Sequence, residues 1–123
     1  MIKVRHACFL SAVAFALLGP ALSAERVERV FELAVENAQV PKSMQVIRVK
    51  QGEGVRLKLT TDRAVTLHLH GYDIERELAP GSVTELAFKA HATRRFPVNV
   101  HERGRSAGRG RGERTLLYLE VHP

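Results

Sequence analysis

The sequence is poor in several of the residues on which protein chemistry usually rests. It has one cysteine, Cys8, and that residue lies in a segment that reads as a cleavable leader. Met1-Ile2-Lys3-Val4-Arg5 is a short basic start, Ala7 to Leu18 an apolar run, and Gly19-Pro20 a helix breaker. Ala21-Leu22-Ser23-Ala24 then supplies small residues for cleavage after Ser23 or Ala24. The apolar run falls short of the ~20 residues that a membrane span requires, and no second long apolar segment follows. We therefore expect residues 1–24 to be a secretory signal peptide. Residues 25–123 are then one domain, periplasmic or secreted, with no transmembrane segment after cleavage. Cys8 sits in no lipobox-like context, so a lipid anchor is not expected. Without Cys8, disulfides, thiolate metal ligands and cysteine nucleophiles are all excluded from the mature chain.

Other absences narrow the function. There is no repeat, no extended linker and no ordinary helix candidate, although Glu25 to Glu36 is open to reading as a helical turn. No Ser-His-Asp or paired-carboxylate arrangement stands out, so an enzyme is not expected. Nineteen basic residues face thirteen acidic ones, a net charge of +6. Loss of Lys3 and Arg5 with the leader leaves 17 basic residues and a net charge of +4. The excess is concentrated between Arg94 and Arg114, where seven arginines alternate with glycine and two glutamates. That tract suits an anionic partner. It lacks the interleaved aromatics that stack on bases, and export also argues against a nucleic acid. The simplest reading of residues 103–112 is a solvated loop.

What is present is a succession of short strands. Val55-Arg56-Leu57-Lys58-Leu59-Thr60 and Val65-Thr66-Leu67-His68-Leu69-His70 alternate apolar with polar, the mark of a half-buried strand. Phe31–Val35, Met44–Val49, Ile74–Leu78, Val83–Phe88, Phe96–His101 and Thr115–Val121 complete a set of about eight. Gln51-Gly52-Glu53-Gly54, Thr61-Asp62-Arg63, Gly71 and Pro80-Gly81 separate them. Pro97 marks its strand as an edge or a bulge. The connections are too short for crossover helices. The fold class is therefore all-β, an antiparallel Greek-key β-sandwich. Its expected core is Phe31, Leu33, Val46, Val55, Leu57, Leu59, Leu67, Leu69, Leu86, Phe88, Phe96, Val98, Leu117 and Leu119.

The clearest chemical signal is His68-x-His70. Alternate residues of a strand share one face, with Cα atoms ~6.5–7 Å apart, and two imidazoles so placed can chelate one divalent ion. Leu67 and Leu69 take the opposite, core-facing side. His101 lies on the polar side of its own strand. Asp73 and Tyr72 are candidate oxygen donors, and Glu75 and Glu77 add carboxylates nearby. His91 and His122 read as surface residues.

The order of the pieces resembles that of the cupredoxins. Val35-Glu36-Asn37, Pro41, a strand from Val46 to the Gly54 turn, and Val-Arg-Leu-Lys-Leu-Thr-Thr-Asp at 55–62 follow the family's sequence of elements. So do the His-bearing strand, Pro80-Gly81, Leu86-Ala87-Phe88, Arg95-Phe96 and the strand ending near Val121. Leu67-His68-Leu69-His70-Gly71-Tyr72-Asp73 is similar to a segment in small periplasmic cupredoxin-like proteins, some grouped with the cupredoxin part of iron-uptake proteins. The resemblance implies a cupredoxin-like domain over 25–123, with the ends of the strands bearing His70 and His101 close together. Type 1 copper needs a cysteine thiolate with two histidines. Where the family carries that cysteine this chain offers His101, and where it carries a further His and Met the chain has the Arg/Gly tract. The expected site is thus His68, His70 and His101 around copper, or zinc, but not type 1 copper. The competing expectation is a metal-free β-sandwich interaction module that meets an anionic partner through its Arg/Gly loop.

Overall fold

The computed structural model describes Gly19, residues 27–102 and residues 112–123. The expected leader cleavage site and most of the Arg/Gly tract lie outside the described residues. Eight strands follow in order: β1 (Glu28–Val35), β2 (Val46–Lys50), β3 (Gly54–Thr61), β4 (Val65–Leu69), β5 (Ile74–Leu78), β6 (Thr84–Lys89), β7 (Arg94–Glu102) and β8 (Glu113–His122). Every strand expected from the alternation is present, with ends differing by a few residues. Glu28 to Glu36 is extended, not helical, because Phe31, Leu33 and Val35 bury one side at period two. The only helical element among the described residues is a 3-10 turn at Lys42–Met44.

The strands form two sheets, ordered β1-β3-β6 and β2-β8-β7-β4-β5. The sandwich is as expected, but its sheets are mixed. β1 pairs with β3, and β2 with β8, in parallel. Short connections do not prevent this, because parallel partners here are never consecutive. The chain leaves β1, lays β2 in the opposite sheet, and returns as β3, so a strand does the work of a crossover helix.

Leu33, Leu57, Leu59 and Leu86 from the smaller sheet meet Ile47, Leu67, Leu69, Val98 and Leu117 from the larger, all buried. Burying such side chains, at ~1.5–3 kcal/mol each, is the main force holding the sheets together. Val46 is a correction to the expected core. Ile47 and Val49 are the buried pair of β2, so Val46 falls on its outward parity. Phe31 and Phe88 pack against the core from its rim, while Val65, Leu78, Val100, Leu116 and Val121 extend it.

Two local features position the site. Pro97 marks a bulge, not an edge: β7 lies between β8 and β4, and the register with β8 slips between Val98 and Asn99. Val98 pairs with Leu117 but Asn99 with Thr115, which leaves Leu116 as the extra residue. Gly71 ends β4 with φ +83°, where a Cβ atom would collide with the Phe96 ring.

Candidate metal centre

β4 and β7 are neighbours and antiparallel. On the outer face of the larger sheet, Thr66 lies opposite His101 and His68 opposite Asn99. The ladder runs one residue past Leu69, since the His70 N–H donates to the Pro97 carbonyl at 3.1 Å. His70 therefore keeps the outward parity of His68, and the two rings lie with centroids 4.0 Å apart, tilted by 40°. The end of β4 that carries His70 thus meets the start of β7. His101, near the far end of β7, does not meet it.

The third donor comes from β8. Leu117, Leu119 and Val121 point into the core, so unbroken alternation would send Glu113 inward as well. The extra residue Leu116 reverses that parity, and Glu113 and Thr115 emerge on the outer face beside His101 and Asn99. Ligand atoms of His68, His70 and Glu113 all lie within 4.8 Å of one another. His70 Nε2 and Glu113 Oε1 are 3.3 Å apart, with side chains 39% and 43% exposed.

Asn99 completes the cluster. Its Nδ2 donates to Glu113 Oε1 at 3.0 Å and faces His70 Nε2 at 3.1 Å. Its Oδ1 accepts a hydrogen bond from the Thr115 hydroxyl at 3.1 Å. The Glu113 carboxyl is held below its ordinary range, chiefly by the hydrogen bond from Asn99 and then by His70, with a smaller electrostatic contribution from His101. Glu113 is accordingly an anion, and it faces two imidazoles.

Of the expected ligands, His68 and His70 converge. His101 stands beside the cluster as the cross-strand partner of Glu113, but is not one of the three converging donors. Glu75 and Glu77 face His68 and Thr66 from β5. Tyr72 is committed elsewhere: its hydroxyl bonds the Ala92 backbone, and its ring packs on Phe88, His91 and Phe96. Asp73 takes up a turn with φ 53°. Sequence reasoning missed Glu113 and Asn99. One signal was there for Glu113: adjacent Leu116 and Leu117 break the alternation of their strand, which is how a bulge looks in sequence.

The donor set fits a borderline divalent ion. Metal–ligand bonds of ~2.0–2.2 Å place two donors of a tetrahedral site about 3.4 Å apart, close to the 3.3 Å between His70 and Glu113. Two imidazoles and one carboxylate suit Cu(II) or Zn(II). The described residues contain no cysteine, so they do not fit a type 1 copper centre.

No family model matches the chain, and no curated protein matches it in sequence. Solved structures do match in fold. A chain of a heme-copper terminal oxidase dimer superposes with TM-score 0.60 at 19% identity, over 94% of this chain and 78% of that one. A copper binding protein solved in its apo form gives TM-score 0.57 at 9% identity, over 77% of this chain and 88% of the other. The periplasmic domain of subunit II of cytochrome oxidase from Bradyrhizobium japonicum gives 0.54 at 13% identity, over 75% and 82%. By architecture and by these likenesses, this chain has a cupredoxin-like fold.

Proposed function

We propose that the protein is an exported, periplasmic or secreted, cupredoxin-like binder of one divalent metal ion, with Cu(II) the favoured ion. It is a binding protein, not an enzyme, and performs no blue-copper electron transfer. The observation that carries this reading is the convergence of His68, His70 and Glu113 on the outer face of the larger sheet. His101 flanks the set as the cross-strand partner of Glu113 and is the candidate for a fourth donor. Cu(II) is favoured because it tops the affinity order for nitrogen and oxygen ligands, and the copper binding protein among the structural neighbours lends support to that choice. A bound ion would supply positive charge and Lewis acidity at this face; the protein supplies two imidazoles and a carboxylate at fixed spacing.

Titration of the mature protein with Cu(II) and Zn(II) by calorimetry, with paramagnetic resonance of the copper form, tests the proposal. We expect one site without an intense blue band. A His68→Ala/His70→Ala variant should lose the ion yet keep its fold, because both side chains lie off the core face. Equal affinity in the parent and the variant would sink the metal site. The protein would then be better described as a metal-free interaction module for an anionic partner.

A further inference from the structure

Asn99 sits between the strands that carry the cluster, and its hydrogen bonds are over-determined. A carboxylate can only accept, so the amide atom 3.0 Å from Glu113 Oε1 must be the NH2 group. The Thr115 hydroxyl reaches the other end of the same amide, at Oδ1. The amide is thereby fixed in one orientation, and its NH2 also faces His70 Nε2 at 3.1 Å. An amide NH2 has hydrogens to give and no lone pair to offer. Taken as a hydrogen bond, this contact makes the His70 nitrogen the acceptor and puts the proton of the neutral ring on Nδ1.

We infer that Asn99 is a positioning residue that holds His70 in its Nδ1–H tautomer and so presents the Nε2 lone pair beside Glu113 Oε1. The use of this arrangement rests on the metal-binding reading above; its chemistry does not. The hydrogen bond from His70 that helps lower the Glu113 pKa belongs to the protonated ring. In the neutral ring, with Nε2 unprotonated, two acceptors lie 3.3 Å apart with no hydrogen between them. That is unfavourable for the metal-free pair and favourable for any cation placed there. Without Asn99, nothing would hold the ring proton on Nδ1, and the fraction with Nε2–H would donate to Glu113 and close the pair on itself. Metal-ligating histidines are commonly held in one tautomer by a partner at the other ring nitrogen. Here the partner contacts the ligating nitrogen itself and must withdraw when a cation arrives.

Long-range proton–nitrogen NMR of the imidazoles at about pH 8, where histidine is neutral, reads the tautomer directly in the metal-free protein. We expect His70 to show the Nδ1–H pattern. Asn99→Asp puts an acceptor of the same shape at this position and should move the proton to Nε2. Asn99→Leu removes the hydrogen bonds and should give a mixture, and backbone amide shifts in the same samples report whether each variant is folded. An Nε2–H pattern in the parent protein, or an unchanged tautomer in folded Asn99→Leu, would overturn the inference. Zn(II) should shift His70 Nε2 and leave Nδ1–H in place; coordination through Nδ1 would also overturn it. An Nδ1–H parent that ignores Zn(II) would sink the metal reading while supporting the tautomer assignment.

Discussion

The outer faces of the two sheets solve the same electrostatic problem in different ways. On the smaller sheet, Arg56 lies between two carboxylates, with its Nε 2.7 Å from Glu28 and its Nη1 2.8 Å from Glu85. The cation is part of the chain, always charged, and its forked geometry occupies both acceptors. On the larger sheet, Glu113 faces His70, His68 and an amide, and none of these is a permanent cation. Around Arg56 the carboxylates carry their own cation; around Glu113, among the described residues, no guanidinium stands, although elsewhere on the same face Arg48 and Arg95 pair with Glu120. A cluster of acids and bases on a β-sheet thus becomes a candidate metal site when, among the described residues, no guanidinium fills it.

The largest expected effect lies beneath both faces. Leu57 is buried at the centre of the smaller sheet, and Leu57→Ala should cost ~2–5 kcal/mol in denaturant unfolding. Such a loss would harm both faces equally, which makes this variant a control for fold against site. Next comes Gly71→Ala. Its backbone has φ +83° and the new Cβ would run into Phe96. The backbone conformation alone costs about 1–3 kcal/mol. Because the adjacent residue is His70, metal affinity should fall with thermal stability, whereas Leu57→Ala should leave the affinity of the folded fraction unchanged.

The comparison sharpens with matched carboxylates. Glu113→Gln should weaken Cu(II) or Zn(II) binding by at least the ~10-fold that loss of an outer-shell partner causes. Glu85→Gln should leave binding unchanged by calorimetry. Equal losses would mean that the metal responds to net charge, not to the cluster. Arg56→Met should lower the melting temperature slightly, by an amount that shrinks as salt is added, since exposed ion pairs are screened. It should not alter metal binding.

The smallest effect concerns protons. The hydrogen bond from Asn99 is the main cause of the lowered Glu113 pKa. Asn99→Leu should therefore raise that pKa, observable by carbon NMR of the side-chain carboxyl. The sign is fixed: a carboxyl with a lowered folded pKa stabilises the protein above its unfolded value, and that contribution is lost as pH falls through the lowered value. In Asn99→Leu the loss should begin at higher pH.

Much of this was legible in the chain. Alternation located all eight strands, because the period of two is a property of each segment alone. It also placed His68 and His70 together on an outward face, since Leu67 and Leu69 had to be buried. The fold resemblance could be read from the order of the elements. Three things could not. Parallel pairing of β1 with β3 and of β2 with β8 depends on which strands meet, and alternation carries no such information. The neighbour of His68 on β7 is Asn99, not His101, because register is decided by pairing across the sheet.

Glu113 marks the division most clearly. Read with unbroken alternation from Leu117, it belongs inside; the bulge that buries both Leu116 and Leu117 turns it out beside the histidines. The sequence by itself determined the strands, their buried sides and the histidine pair, all consequences of local periodicity and the burial of leucine and valine. Only the tertiary structure decided the third donor and the amide that orients the second. Both depend on how one strand slips against another once their leucines compete for the same core.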